Sequence, residues 1–97
     1  MRLKTDVLIA GSGVAGLYCA LNLPRNMRVT VITKAKADEC DSYLAQGGIC
    51  VLKDAADYDA YFEDTLRAGH YENRRESVDI MLKSSQGVIE DLVNFGV

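Results

Sequence analysis

Three glycines with the spacing Gly11-x-Gly13-x-x-Gly16 follow an apolar run, and this combination can bind the phosphates of a dinucleotide. Gly11 permits a tight turn from strand to helix, Gly13 lets a pyrophosphate approach the backbone, and Gly16 lets the helix pack closely on the strand. The N–H groups and dipole of the first helical turn would face the phosphates, and Ser12 could add its hydroxyl or its N–H. The alternative is a glycine-rich turn in an α/β protein that binds no nucleotide.

The end of the second predicted strand departs from the usual dinucleotide-binding pattern. An acid that binds a ribose hydroxyl is common there, whereas this chain has Thr33 and Lys34. A lysine suits the 2′-phosphate of NADP. It also suits FAD, with Thr33 at the adenosine ribose and Lys34 along the nucleotide. A solvent-exposed lysine without a ligand is the third interpretation, and this position alone leaves all three open.

The segment DSYLAQGGI, shortly after that strand, favours a flavin. Asp41 and Ser42 offer polar groups for a second phosphate, and Gln46 can form hydrogen bonds to ring heteroatoms. Gly47 and Gly48 allow the backbone to lie against a flat ring, because no Cβ stands in the way. Without the glycine motif upstream, a polar surface turn would be the simpler interpretation.

The elements that must position these residues form a β-α-β unit. Asp6–Ala10 is a short apolar run, typical of a parallel strand covered on both faces. A helix follows from Val14 and stops before Pro24, and Arg28–Thr33 is β-branched and predicts the second strand. Such a unit forms a right-handed crossover.

The second half of the chain is predicted to be mainly helical. Residues 34–40 read as loop and 47–52 as a short extended stretch. A helix is expected over Asp57–Ala68, with Gly69 as its stop. A capping-box-like pair, Asn73 and Glu76, predicts the start of a last helix that ends at Gly96.

Composition excludes several functional classes. The 97 residues are 48% hydrophobic and 26% charged, with a net charge of −3, so neither nucleic acid nor a membrane is expected as a partner. With no secretory cleavage site, the cytoplasm is the expected location. One histidine, His70, and three unpatterned cysteines are too few ligands to predict a metal site; the cysteines are expected to be reduced and partly buried. Two strands do not complete a doubly wound sheet, which suggests the opening section of a larger protein.

Four segments in order, LIAGSGVAGL, the strand ending in Lys34, SYLAQGGI and YFEDTLRAG, resemble flavoproteins of the succinate dehydrogenase/fumarate reductase family over essentially the whole chain. The resemblance implies an α/β fold: the N-terminal portion of a Rossmann-like FAD-binding domain over residues 1–97, with β-α-β followed by two helices and an incomplete parallel sheet. It implies FAD contacts at Ser12, Gly13, Val14, Ala15, Lys34, Asp41, Ser42, Tyr43, Leu44, Ala45, Gln46, Gly47 and Gly48.

The resemblance also implies an activity. Members with covalently attached FAD carry a histidine at the position of Asp41, so non-covalent FAD is expected, which favours an amino-acid oxidase over the respiratory enzymes. That oxidase would convert the dicarboxylate L-aspartate to iminoaspartate in NAD biosynthesis, with oxygen or fumarate as acceptor and quinolinate synthase as pathway partner. Its catalytic residues would lie beyond Val97. The alternatives are a soluble fumarate reductase or succinate dehydrogenase subunit, or an inactive nucleotide-binding fragment.

Overall fold

The structure, a computed structural model, describes residues 2–97 as two compact units that meet in sequence between Gly47 and Gly48. The first unit contains two strands and two helices: β1 (Val7–Ala10), α1 (Val14–Leu21), β2 (Val29–Ile32) and α2 (Asp41–Leu44). The second contains a 3₁₀ turn (Ala55–Asp57), α3 (Tyr58–Ala68) and α4 (Arg75–Asn94). The fold is therefore α/β.

The two strands form a parallel pair, as predicted. Val7 lies opposite Val29 and Ala10 opposite Ile32, and α1 connects the strands in sequence. At the start of the pair, the Asp6 carboxylate accepts hydrogen bonds from the backbone N–H of Arg28 at 2.8 Å and from its guanidinium at 3.1 Å. These bonds lower the pKa of Asp6, the side-chain bond contributing most.

Helix α1 packs on one face of this strand pair. A Cβ built at Gly16 would collide with the carbonyl of Gly11 and approach the Ile9 side chain to 3.2 Å, so the helix lies on the Ile9 side. Leu8, whose side chain points to the other face, is 59% exposed. The expectation that β1 is covered on both faces is therefore wrong for residues 2–97, because only α1 packs closely on it.

The segment after β2 departs from prediction in two places. Residues 34–40 are irregular, as expected, but a four-residue helix, α2, follows them. Residues 47–52, expected to be extended, are irregular, and among residues 2–97 only β1 and β2 form a sheet. The backbone N–H of Leu52 instead donates to the hydroxyl of Ser85 at 3.0 Å.

The second unit is a pair of helices around a small apolar core. Leu66 of α3 and Val78 and Leu82 of α4 are buried; Tyr58, Tyr61 and Phe62 pack against them. Met81 and Val93, two other apolar residues of α4, are exposed and lie outside this core.

A polar cluster joins the two helices beside this core. The Tyr58 hydroxyl donates to the carboxylate of Asp79, which also pairs with Lys83 at 3.0 Å. The hydrogen bond from Tyr58 to Asp79 and partial burial raise the pKa of Tyr58 to about 12. The same hydrogen bond, with a second from Lys83, lowers the pKa of Asp79.

The turn between α3 and α4 shows why Gly69 is a glycine. Helix α3 ends there as predicted, but the left-handed residues are His70 (φ 54°) and Tyr71 (φ 59°). Their N–H groups bond to the carbonyls of Arg67 and Leu66, which is a Schellman motif. Gly69 has φ −87°, and a Cβ there would overlap the Asn73 amide.

The predicted capping box at Asn73 and Glu76 is wrong. Helix α4 begins one residue later than that pattern requires, with Arg74 as its N-cap and no side-chain cap. The Asn73 amide points instead toward α3, where it donates to the carbonyl of Thr65 at 3.4 Å. The end of α4 follows the prediction, because Gly96 has φ 98° just past the last turn.

All three cysteines are free thiols. Cys40 is half-buried, whereas Cys19 and Cys50 are exposed and not partly buried as expected. Within residues 2–97, no helix combines the length and the apolar character needed to cross a membrane.

Candidate functional site

An open cavity of about 670 Å³ lies at the carboxyl ends of β1 and β2. Its lining comes from the ends of the two strands, the glycine turn and the segment before α2: Ala10, Gly11, Ser12, Gly13, Ile32, Thr33, Lys34, Glu39, Cys40 and Asp41. The carboxyl ends of parallel strands are where open α/β sheets bind their ligands. The volume is within the range of small-molecule sites.

The glycine turn has the backbone that the sequence predicts. Gly11 has φ 119°, a conformation that residues with a side chain rarely adopt. Its N–H donates to the carbonyl of Ile32 at 2.8 Å, which holds the turn against the end of β2. Because Gly16 has no Cβ, the first turn of α1 can lie directly over Gly11. These two glycines bring the start of α1 to the edge of the cavity.

Gly13 is the N-cap of α1 and has no side chain with which to cap it. The cap comes from α2, because the backbone N–H of Val14 donates to the Ser42 hydroxyl at 3.0 Å. A Cβ on Gly13 would stand 3.2 Å from that hydroxyl oxygen. Gly13 therefore leaves space for Ser42 as well as for a ligand.

The side chain of Ser12 does not point toward a ligand. It is 5% exposed, and its hydroxyl donates to the carbonyl of Ala37 at 3.0 Å. The thiol of Cys40 lies 3.7 Å from the carbonyl of Ser12 and donates to it. Residues 37–40 are thus attached to the glycine turn, and of the two groups that Ser12 was predicted to offer a phosphate, only its backbone N–H is left.

The charged side chains around the cavity are one lysine and two carboxylates. Lys34 supplies the cation, and Glu39 and Asp41 supply the anions. Sequence reasoning missed four lining residues: Ala10, Ile32, Glu39 and Cys40. The first two end the strands, so strand boundaries could have indicated them. Glu39 and Cys40 had no signal beyond lying just before the DSYLAQGGI segment.

The structure brings six of the sixteen predicted site residues to this cavity: Gly11, Ser12, Gly13, Thr33, Lys34 and Asp41. The others lie in or after the two helices of the first unit. Val14, Ala15 and Gly16 begin α1; Ser42, Tyr43 and Leu44 form α2 with Asp41. Ala45, Gln46, Gly47 and Gly48 follow α2, and Gly48 opens the second unit. Tyr43 and Leu44 are each 69% exposed.

The backbone around the cavity fits the phosphates of a dinucleotide, whereas two of the three charged side chains there, Glu39 and Asp41, are anionic. Gly11 and Gly13 present backbone without a Cβ, the N-terminus of α1 points the positive end of its dipole at the site, and Lys34 adds a cation. Among the described residues 2–97, no three His, Cys, Asp or Glu side chains come together in a way that could hold a metal ion.

Comparison with known proteins gives a consistent result. Residues 6–97 match the family described as FAD binding domain. The chain is 52% identical over 97 residues to the L-aspartate oxidase of Clostridium acetobutylicum, covering all of this chain and 22% of that relative. It is 44% identical over 96 residues to that of Clostridium perfringens, covering 99% and 22%. It is 40% identical over 93 residues to the L-aspartate oxidase of Pseudomonas aeruginosa, covering 95% of this chain and 17% of that relative.

The chain therefore spans about a fifth of the length of the curated relatives it matches. No solved structure matches it with significance.

Proposed function

Because the chain belongs to the FAD binding domain family, with FAD as its cofactor, we propose that it forms part of the FAD-binding region of an L-aspartate oxidase. The proposed reaction is oxidation of L-aspartate to iminoaspartate, with oxygen or fumarate accepting the electrons. The product would enter NAD biosynthesis through quinolinate synthase, and the protein would act in the cytoplasm.

The observation that carries this proposal is the joining of the glycine turn and the segment before α2 around one cavity. Gly11 and Gly13 line it from one side, and Lys34 and Asp41 from the other. A nucleotide site needs phosphate-facing backbone together with polar groups from a neighbouring strand end. The L-aspartate oxidases named above match the chain across both segments.

This chain's residues would bind and orient FAD. The backbone of Ser12 and Gly13 and the first turn of α1 would face the pyrophosphate, and Lys34 would add positive charge. Asp41 replaces the histidine of covalent flavoproteins, so the attachment would be non-covalent. When bound, FAD supplies the capacity to accept the two electrons removed from the substrate.

Other parts of the oxidation require groups outside this chain. A dicarboxylate substrate needs paired cationic side chains and a positioned proton acceptor. We propose that residues 1–97 are the N-terminal portion of a longer Rossmann-like domain. The remaining strands and a domain covering the substrate would come from the rest of the protein.

The test is anaerobic reduction of the flavin in the full-length protein, with L-aspartate and succinate added separately. Loss of the oxidised flavin absorbance with L-aspartate alone supports the proposal. Loss with succinate alone assigns the chain to a fumarate reductase or succinate dehydrogenase. A protein that binds FAD but responds to neither is a nucleotide-binding module. Release of free FAD on denaturation tests the non-covalent attachment.

A further inference from the structure

We propose that Ser12 is a positioning residue, whose side chain holds the segment between β2 and α2 in the shape that receives FAD. The inference rests on the proposed function for its ligand. The Ser12 hydroxyl belongs to the glycine turn, yet it is buried and donates to the Ala37 carbonyl at 3.0 Å. A serine hydroxyl has one hydrogen to donate, and this bond uses it.

The place of Ala37 explains why one bond has a large effect. Ala37 lies midway between two groups of cavity-lining residues, Thr33 and Lys34 before it and Glu39–Asp41 after it. Residues 35–38 do not line the cavity. Fixing residues 35–38 at their middle therefore restricts both groups at once.

Two further bonds act on the same segment. The thiol of Cys40 donates to the Ser12 carbonyl at 3.7 Å, and the Ser42 hydroxyl accepts from Val14 N–H at 3.0 Å. The thiol bond is weak and the serine bond is exposed. The Ser12 hydroxyl is a full-strength donor on a buried side chain, so the loss of its bond is expected to have the greatest effect.

The consequence for binding is preorganisation. A segment that is already in place loses less conformational entropy when the ligand arrives. A typical hydrogen bond contributes enough to change an equilibrium about fivefold. We therefore expect Ser12→Ala to weaken FAD binding by about fivefold.

The first arm of the test is trypsin digestion of the full-length protein without FAD. Lys34 and Lys36 lie in the attached segment, and Arg25 lies in an exposed turn of the same unit. Cleavage follows the population of locally open chain, so Ser12→Ala should raise cleavage after Lys34 and Lys36 relative to Arg25 by about fivefold. Ser12→Thr, which keeps the hydroxyl, should restore the wild-type ratio.

The matched control is Thr5→Val. The Thr5 hydroxyl lies within hydrogen-bond distance of the carbonyls of Val7, at 2.9 Å, and Arg28, at 2.8 Å, and can donate its one hydrogen to either, at the opposite end of the strands. Its loss should leave the cleavage ratio and FAD affinity unchanged. If Ser12→Ala does not fold, Ser12→Gly, which also removes the hydroxyl and adds no volume, replaces it.

The second arm is FAD titration by flavin fluorescence. Weaker binding in Ser12→Ala, recovered in Ser12→Thr and absent in Thr5→Val, supports the inference. An unchanged cleavage ratio in Ser12→Ala overturns it, whatever the affinity. Equal losses in Ser12→Ala and Thr5→Val also overturn it, since they indicate general destabilisation. Failure of the full-length wild-type protein to bind FAD contradicts the proposed function instead, and the digestion without FAD still decides the role of Ser12.

Discussion

The Ser42 hydroxyl accepts a hydrogen bond from the N–H of Val14 at 3.0 Å, so a side chain of α2 caps the first turn of α1. Gly13 occupies the N-cap position but has no side chain for the task. A glycine that lets a ligand approach the backbone thus deprives the helix of its local cap, and Ser42, 28 positions after Val14, provides one. The side chain that caps α1 therefore comes from α2, and the backbone that a ligand can approach belongs to the glycine turn.

Ser42→Ala should destabilise the first unit by about 1 kcal/mol, the usual cost of removing an N-cap hydroxyl. Urea unfolding followed by circular dichroism measures the change. Ser84→Ala is the control, because the Ser84 hydroxyl bonds to a carbonyl of its own helix, at Ile80. That variant should change stability by no more than about 0.5 kcal/mol. Equal effects in both variants would show that Val14 gains nothing from Ser42.

Gly16→Ala and Gly87→Ala should have opposite effects, although both glycines lie inside helices. An added Cβ at position 16 collides with the Gly11 carbonyl, and we expect a loss of about 2 kcal/mol or more. At position 87 nothing lies within 4 Å, and alanine should stabilise α4 by about 0.5–1 kcal/mol. Denaturant midpoints of the two variants test the pair. A stable Gly16→Ala variant would mean that α1 does not pack over the glycine turn.

Asp6 should contribute to acid sensitivity. Arg28 lowers its pKa, so the carboxylate stabilises the fold fully above the ordinary Asp value of about 3.9 and loses this contribution as the pH falls below it. Asp6→Asn should flatten the fall in stability in that range. Stability measured between neutral and acidic pH tests this. Arg28→Ala should flatten the same range, and the double variant should add nothing; a slope unchanged in Asp6→Asn refutes the assignment.

Tyr58 should contribute to the loss of stability at alkaline pH. Its pKa is raised to about 12, mainly by the hydrogen bond to Asp79, so its stabilising contribution is complete below the ordinary value of about 10 and disappears as the pH rises through about 12. Ultraviolet titration of the phenolate measures this pKa. Asp79→Asn should return it toward the ordinary value, and Tyr58→Phe should remove the titration step near pH 12. A titration unmoved by Asp79→Asn would exclude the hydrogen bond as the cause.

Lys34→Ala should weaken FAD binding by roughly tenfold, the effect of losing one charge-assisted contact. Lys34 lines the cavity, whereas Lys36, two residues later in the same segment, does not. Lys36→Ala is therefore the matched control, and its affinity should equal that of the wild type. Substrate preference in the full-length protein should stay the same in both. A change in L-aspartate turnover at normal flavin content would contradict a role limited to the cofactor.

Local patterns predicted most of the elements because each has its own signal. The two strands are β-branched and apolar, and α3 and α4 end at Gly69 and Gly96, as expected. The capping box failed because the Asn73 amide lies in the space left by Gly69, where it donates to the Thr65 carbonyl. A short pattern shows a possible bond but not the competing contact that displaces it.

The candidate site was predictable in its backbone and less so in its side chains. The spacing of Gly11, Gly13 and Gly16 reports directly on turn geometry. The direction of the Ser12 hydroxyl depends on where Ala37 lies, which follows from a loop 25 residues later. No hydrophobic periodicity in the sequence encodes the position of that loop relative to Ser12. For the same reason, Glu39 was not expected in the lining.

The bond between Gly11 N–H and the Ile32 carbonyl has a consequence for the order of folding. Closing a chain of 28 residues to bring Ser42 to Val14 costs roughly 3 kcal/mol of loop entropy, more than one hydrogen bond returns. Once the strands pair as far as Ile32, the remaining loop to Ser42 is ten residues long, counted as 42 minus 32, and the cost falls by roughly 1 kcal/mol. Strand pairing therefore lowers the entropic cost of bringing Ser42 to Val14, and we expect pairing to precede that contact and the completion of the cavity.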